Sequence, residues 1–453
     1  MAAARMGSNR TAATIGTTVL REVQMVATRV TKTIGTPVEK AAEPEMGTGI
    51  IPYQRYVSRE FMAREWDRMW TRVWLLGCHV DEIPEPGDYV TTEIGDESIL
   101  LVRGHDGIIR SFYNACNHRG NQLKFGDGGT AETIVCTYHL WEYDLTGTLI
   151  NVPDIEDFPL GCPTDRLSLK PLRTEIWGGH VWFNMDPDCE PLLDYLGVIP
   201  EHLDPYRLQD MAMTLNVTME WDCNWKTSVD AFNEVYHVQG IHPELMYDMD
   251  DMSIQIDLYD RHNRYLIAWT TPSQKVDITE EVPPILAQHL AKVGANPEEY
   301  RGRVLEIRKE LQRLRRQRAV ERGIDFSALN DDQMTDDYHY FIFPNVTLNL
   351  FAEHVLLFRQ RPHESDPNKM YFDVRAFAPS PSGAPKPPVP EHATYKHGEF
   401  SLGLVVDQDA VNLPHVQKGM RSRGFEGAWI CRRERRLRHM HETLMSYVGD
   451  DDA

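Results

Sequence analysis

The chain has 453 residues, 42% of them hydrophobic and 25% charged, with a formal net charge of −21. That length suits two domains, each able to bury a sizeable core, while the acidic balance opposes binding to nucleic acid and no apolar run is long enough to cross a bilayer. The seven cysteines (Cys78, Cys116, Cys136, Cys162, Cys189, Cys223 and Cys431) are scattered rather than packed like a secreted disulfide framework, so a reducing cytoplasm is expected.

Residues 1–48 begin with a stretch rich in Ala, Thr and Arg that lacks the continuous apolar segment of a secretory signal. They are read as a disordered N-terminal extension with no assigned role. From about residue 51 to 73 the pattern predicts a helix, "REFMAREWDRMWTRVW" placing Phe61, Trp66, Met69, Trp70 and Val73 near one face. Residues 75–184 change to short alternating segments such as "DYVTTEI" and "SILLVRG", divided by Gly, Pro and Asp turns as antiparallel strands require. Asp-Pro and Glu-Pro pairs mark a boundary near 186–192. The chain therefore divides into a β-rich domain with its leading helix at 49–190, an α+β domain at 191–448 and an acidic tail at 449–453.

In the second domain a helical segment is expected around 224–242, with strands at "SIQIDLYD", "RYLIAWT", "HYFIFPNVTLNLF", "HVLLFRQRP" and "MYFDVRAF". An amphipathic helix over 299–322 sets Val304, Ile307, Leu311 and Leu314 beside eight Lys or Arg between 301 and 318. Its charged side reads as a solvated face, with docking of an acidic ferredoxin as the alternative. A Pro-rich loop follows at 379–391, and Ile430, Leu437, Met440 and Leu444 suggest a closing amphipathic helix.

The first chemical signal is "ACNHRGNQLKFGDGGTAETIVCTYHLW". Cys116 and His118 stand two apart and, seventeen residues on, Cys136 and His139 stand three apart. Each loop supplies one thiolate and one imidazole, which suits a binuclear iron cluster whose one iron takes both Cys and the other both His. Gly120, Gly126, Gly128 and Gly129 allow tight loop tips. Zinc, or unliganded core residues, are the competing readings. Cys78 and His79, in an apolar strand, read as core packing.

The second signal is "NWKTSVDAFNEVYHVQGIHPE". His237 and His242 are five apart and can face one metal only if the helix loosens or ends between them, which Gly240 and Pro243 allow. Two imidazoles and a carboxylate on one face of an octahedron form the facial triad of non-haem Fe(II) oxygenases. A pair of satisfied helix histidines is the alternative.

The Cys/His loops resemble the Rieske motif, and residues 224–244 resemble the iron-binding motif of the Rieske non-haem iron oxygenases, large (alpha) subunits of the aromatic-ring-hydroxylating dioxygenases and their monooxygenase and demethylase relatives. The resemblance covers about residues 50–445. It implies a Rieske [2Fe-2S] domain held by Cys116, His118, Cys136 and His139, then a helix-grip (START-like) domain with an antiparallel sheet, helices and mononuclear Fe(II) on His237, His242 and a distant acid. That acid maps to Asp409, followed eight residues later by Gln417, although Pro414 departs from a simple helix. Asp407 is the first substitute, either acid being able to end a strand and face the metal. Glu234 matches an acid that bridges to a Rieske histidine of the adjoining subunit. Asp230 and Ala231 stand where the family often has Glu-Asn. Trp225 is expected to pack beneath the metal helix, and "FPN" at 343–345 to end a pocket-lining strand.

The resemblance further implies an oxygenase drawing on NAD(P)H through a separate reductase, with or without a ferredoxin. No GxGxxG context occurs in this chain. A homotrimer or an assembly of trimers is expected, and a small beta subunit is left open. The substrates would be dioxygen and a small apolar, aromatic molecule, with cis-dihydroxylation favoured over monooxygenation or O/N-demethylation. From another class, a non-catalytic iron-sulfur electron carrier is the alternative.

Overall fold

The computed structural model describes residues 40–449; the expectations for residues 1–39 and for the tail from residue 450 lie outside the described residues. A two-residue strand, β1 (Ile51–Pro52), pairs with β20 (Gly427–Ala428), tying the two ends of the described chain together. The Ser58 side chain accepts the Phe61 N–H and caps a helix where a single longer one was expected, splitting the segment into α1 (Gln54–Val57) and α2 (Arg59–Glu65). α2 runs on into a wider turn at Trp66–Trp70. Phe61, Met69, Trp70 and Val73 are buried as the periodicity predicts.

Next come β2 (Leu75–His79), β3 (Asp88–Ile94), β4 (Glu97–Arg103), β5 (Ile109–Tyr113) and β6 (Gly128–Thr130). β7 (Ile134–Val135), β8 (Glu142–Tyr143) and β9 (Leu149–Asn151) form a small separate sheet, followed by β10 (Pro171–Trp177) and β11 (His180–Asn184). The large sheet runs β2-β11-β10-β5-β4-β3-β6. Period-two alternation in β4 serves two cores: Leu100 and Val102 pack under the small sheet, Ile99 and Leu101 into the main core. Cys78 and His79 are both buried, as core packing requires.

Short helices α3 (Leu192–Leu196) and α4 (Ile199–Leu203) lead into β12 (Ala212–Trp221), α5 (Trp225–Phe232) and α6 (Val238–Ile241). β13 (Gln255–Leu258), β14 (Asn263–Ile267), α7 (Pro284–Lys292) and α8 (Ile307–Glu321) follow. Then come β15 (Asp337–Ile342), β16 (Val346–Phe351), β17 (His354–Pro362), β18 (Met370–Ala378), β19 (Ala393–Lys396), α9 (Leu404–Met420) and α10 (Arg435–Val448). Eight strands form one sheet in the order β13-β14-β15-β16-β17-β18-β12-β19, antiparallel except for the β12–β19 pair. This is the α+β arrangement expected, with α5 packed on β17 and α10 on β13 and β14. Leu76, Trp182 and Phe183 of the first half share one core with Met219, Leu357 and Phe372 of the second. Among the described residues no helix is long and apolar enough to cross a membrane.

Three details correct the sequence reading. "FPN" forms the turn between β15 and β16, so one expected strand is a hairpin. Ile430 lies outside α10, whose buried face is Leu437, Met440 and Leu444. The Arg-rich helix is not simply a solvated face, because its arginines hold the segment before β15. Arg308 is buried and pairs with Asp332 at 2.6 Å and with Asp336. Arg316 donates to the Phe326 and Leu329 carbonyls, and Arg315 to that of Met334. A guanidinium offers five donors in a fixed fork, so it can satisfy several acceptors of one loop at once.

Candidate functional site

The two Cys/His segments fold into matching tips. Cys116 N–H donates to Asn121 O and Gly120 N–H to Cys116 O; in the second tip Cys136 N–H donates to Trp141 O and Leu140 N–H to Cys136 O. Each tip places one residue in the left-handed region, Gly120 at φ 75° and Leu140 at φ 57°. A side chain there costs on the order of 1–2 kcal/mol, so the second tip holds strain that a glycine would relieve. Gly128 and Gly129 belong to β6 instead of to a tip.

Cys116 and Cys136 are buried free thiols, and burial, the largest influence on Cys116, raises its pKa. The Tyr143 hydroxyl lies 3.3 Å from Cys116 Sγ. The His118 ring stacks on Trp141 at 4.6 Å between centroids and meets His139 edge-on at 4.5 Å. Its Nδ1 is buried without a hydrogen-bond partner, and burial followed by the neighbouring His139 lowers its pKa, so the ring presents a neutral lone pair. Two buried thiols beside imidazoles with a free ring nitrogen fit a binuclear cluster of mixed ligation. Sequence reasoning missed Tyr143 and Trp141, which carry no ligand chemistry of their own.

The second constellation begins at Asn224, whose Oδ1 accepts the Lys226 N–H at 3.0 Å and caps α5. Trp225 is buried edge-on to Trp70 at 5.0 Å, and buried Lys226 pairs with buried Glu65 at 2.6 Å. α5 ends at Phe232, and Glu234 then turns the chain by accepting the N–H groups of Tyr236 and His237. The helix breaks before His237, and the single turn of α6 then ends at His242 ahead of Pro243, the ending between the histidines that was expected, with Gly240 inside the turn. His242 leaves the turn at φ −123°, ψ 56°, ahead of Pro243.

Asp409 projects from α9 with its Oδ1 3.1 Å from His242 Nε2 and 3.7 Å from His237 Nε2. One potential ligand atom from each of the three lies within 4.8 Å of the others, the one such cluster among the described residues. The far ring nitrogens are occupied: Gln408 Oε1 accepts from His242 Nδ1 at 2.7 Å, and Glu234 Oε1 from His237 Nδ1. Those bonds turn both Nε2 lone pairs toward the Asp409 oxygen. Three electron-rich atoms facing one another fit a divalent cation. Burial opposes charge on His237, but the hydrogen bond to Glu234 and the charges of Glu234 and Asp409 outweigh it and raise the pKa.

Asp407 points elsewhere, accepting from Ser401 Oγ at 2.5 Å and Leu402 N–H at 2.9 Å. Both acids sit on a helix, not at a strand end, and Pro414 does not interrupt it. Pro414 cannot donate to Ala410 O, and His397 Nε2 bonds that carbonyl instead, at 2.8 Å. Asp230 is drawn away from the histidines by Tyr56, whose hydroxyl donates to it at 2.5 Å, while Ala231 lines the cavity.

That cavity, of about 420 Å³, lies beside the triad. Phe232, Val235, Leu245, Leu356 and Phe358 give it apolar walls, and His237, His242 and Asp409 open onto it.

Residues 208–450 match the family model for the ring hydroxylating alpha subunit (catalytic domain), and residues 73–164 that for the Rieske [2Fe-2S] domain. The chain is 35% identical over 211 residues to a carnitine monooxygenase oxygenase subunit of Escherichia coli (strain K12), covering 46% of this chain and 55% of that protein. It is 33% identical over 202 residues to a glycine betaine monooxygenase oxygenase subunit of Chromohalobacter salexigens, covering 44% of each. The match spans about half the length of these relatives. A biphenyl dioxygenase subunit alpha of Paraburkholderia xenovorans is 28% identical over 398 residues, covering 82% of this chain and 80% of that one. Among solved structures, a quaternary ammonium Rieske monooxygenase with L-carnitine superposes at a TM-score of 0.64 with 18% identity, covering 88% of this chain and 96% of that one. A naphthalene 1,2-dioxygenase bound to phenanthrene does so at 0.65 with 18% identity, covering 89% and 93%. These structural likenesses establish a shared fold.

Proposed function

Because the chain belongs to the ring-hydroxylating alpha subunits of Rieske oxygenases, we propose that it uses dioxygen to hydroxylate a small apolar, aromatic substrate. Its cofactors are a Rieske [2Fe-2S] cluster and a mononuclear Fe(II). Cys116, His118, Cys136 and His139 would hold the cluster, and His237, His242 and Asp409 the single iron. The observation that carries this reading is the convergence of two imidazole nitrogens and one carboxylate oxygen beside a largely apolar cavity.

When bound, the cluster supplies single electrons and the iron supplies open coordination positions for dioxygen. This chain's own residues prepare that chemistry. Glu234 and Gln408 hold the Nδ1 protons of His237 and His242, fixing the tautomer that leaves each Nε2 free to ligate. The apolar walls limit water around the reacting carbon and orient an apolar substrate against the triad. Residues 49–190 would serve electron entry and 191–448 oxygenation. Reducing equivalents would come from NAD(P)H through a separate reductase, with or without a ferredoxin, in the cytoplasm. The seven free cysteines support a reducing compartment.

Exposed Tyr138 and Leu140 flank His139 at its tip, and exposed Tyr236 adjoins Glu234. That pairing of apolar surfaces supports a trimer in which one copy's tip meets the next copy's iron site. Monooxygenation is the second reading, favoured by the carnitine and glycine betaine monooxygenases among the relatives. A pure electron carrier would leave the triad and its cavity without a use.

The test is anaerobic reconstitution followed by iron analysis and turnover under labelled dioxygen with a partner reductase. About three irons per chain and label in the product are expected. About two irons per chain and no oxygen uptake with any aromatic substrate would assign an electron carrier. One labelled atom, rather than two, would assign monooxygenation.

A further inference from the structure

The cavity is not uniformly apolar: besides the triad, polar side chains reach it from the sheet and from the segment after β14. Across β14 to β17, Asn263, Phe341, Thr347 and Phe358 form one row, and Tyr265, His339, Asn349 and Leu356 the next. Beyond them Ile267 pairs with Asp337 and Phe351 with His354. The iron-site helix sits on the first row, where Asn233 Nδ2 donates to Thr347 Oγ1 at 3.3 Å and Phe232 meets Phe358 at 5.0 Å. Each row is two residues further along the strands, so the last lies about 13 Å from the first.

Apart from Arg315 Nε, which faces Glu353 Oε2 in an ion pair at 3.4 Å, four buried polar atoms of cavity-lining side chains have no hydrogen-bond partner: Asp337 Oδ1, Asn349 Nδ2, Thr270 Oγ1 and Trp269 Nε1. Asp337 is 4% exposed and Thr270 3%. Buried polar groups are ordinarily paired, and four unpaired ones in one cavity call for a ligand that pairs them. Thr270 also holds φ at 57°, a left-handed conformation that a β-branched residue rarely adopts. Its neighbour is fixed in place: Trp269 N–H donates to Asp336, and Trp269 O accepts from Arg308 at 2.9 Å. Backbone strain held so firmly at a cavity wall is characteristic of a binding position.

We infer that the substrate is amphipathic, an apolar body with a neutral oxygen-bearing head, hydroxyl or carbonyl, bound by Asn349, Trp269, Thr270 and Asp337, beyond the row of the sheet on which the iron-site helix sits. This rests on the reading of that cavity as the oxygenase site. Asn349 Nδ2 and Trp269 Nε1 are donors and the Thr270 hydroxyl can donate, so the set seeks an acceptor oxygen, which an ammonium group lacks. Burial raises the Asp337 pKa against the opposing influence of Arg436, favouring an uncharged carboxyl and a neutral head. Such a contact discriminates strongly, because an analogue without the oxygen leaves the same atoms unpaired.

The test is calorimetric titration of the cluster- and iron-loaded protein with naphthalene, 2-naphthol and 2-naphthylmethylammonium. 2-Naphthol is expected to bind at least about tenfold more tightly than naphthalene, and Asn349→Leu to reduce that preference to below about threefold. Equal binding of naphthol and naphthalene, tightest binding of the ammonium, or no binding of naphthol overturns the inference. The wild-type comparison decides the matter even if the variant does not fold. Oxygen uptake with the same probes tests the oxygenase reading separately. Turnover without a naphthol preference removes the head site alone, and a naphthol preference without turnover removes the oxygenase alone.

Discussion

Replacing Gln417 with Leu tests how the proposed iron triad is held together. Gln417 is 1% exposed and uses both ends of its amide. Oε1 accepts from Asn224 N–H at 3.0 Å and Thr227 Oγ1 at 2.8 Å, and Nε2 donates to Tyr56 O at 3.2 Å and Asn368 Oδ1 at 3.1 Å. Leucine keeps most of the volume and removes all four bonds. Thr227 can still donate to Met420 Sδ, 3.8 Å away, and partly buried Asn368 can turn toward water, whereas Asn224 N–H and Tyr56 O would be stranded. Two stranded groups at roughly 1–3 kcal/mol each, with smaller losses at the other two, give about 4 kcal/mol. That is a large share of the 5–15 kcal/mol or so that holds a typical protein folded. For a domain of roughly this size each kcal/mol moves the midpoint by about 2–4 °C, so scanning calorimetry should show a fall of about 10 °C. Gln417 lies about 12 Å along α9 from Asp409 and ties that helix to the cap of α5, so iron affinity should fall with it. Gln417→Glu keeps the two accepted bonds and should lie between. A midpoint lowered by less than about 3 °C, with iron retention unchanged, would refute the reasoning.

Asp409→Ala should lose the mononuclear iron while keeping the visible absorption of the cluster, and Asp407→Ala should keep both; iron analysis after gel filtration separates them. Lys226→Met strands the buried Glu65 carboxylate and should cost about 3–5 kcal/mol, whereas adding Glu65→Leu should restore much of it, as thermal melting of the single and double variants would reveal. Glu234→Gln should retain all iron yet slow steady-state turnover severely, and normal turnover in that variant would remove its bridging role.

Both candidate metal motifs were legible because ligation demands particular atom types within short windows, as at Cys116/His118 and His237/His242. Asp409 was reached only through the family resemblance, by its place eight residues before Gln417, and the four bonds above show what anchors the Gln417 end of that helix. What escaped the sequence was set by distant partners. The break before His237 comes from the Glu234 side chain accepting N–H groups of its own loop, in addition to the ending at His242 that Pro243 marks. Pro414 sits in an unbroken helix because His397, supplied by the segment after β19, bonds the carbonyl that proline cannot reach. Arg308 looked solvent-facing because its acids lie 24 and 28 residues further on. Strand alternation could show that Asp337 and Asn349 share a face of the sheet, but not that each would keep an unpartnered atom there.

Glu234 shows why one copy of this chain is an incomplete electron path on the proposed reading. An ionised carboxylate offers about four lone-pair sites. Its Oε2 already accepts the N–H groups of Tyr236 and His237, and its Oε1 accepts from His237 Nδ1. Only about one site is left, on Oε1, at a residue 9% exposed. A single imidazole N–H, carried on a protruding tip such as the one bearing His139, is a donor of the right size and reach. A bond there would connect the cluster's ligand to the iron's ligand through one carboxylate, so a change in charge at the cluster would be felt at His237 directly. Glutamine at 234 would keep one acceptor oxygen, used by the Tyr236 and His237 N–H groups of the turn, and would present an amide N–H where the ring N–H groups need an acceptor. The position therefore demands a carboxylate for the connection, even though an amide could still complete the turn that positions His237.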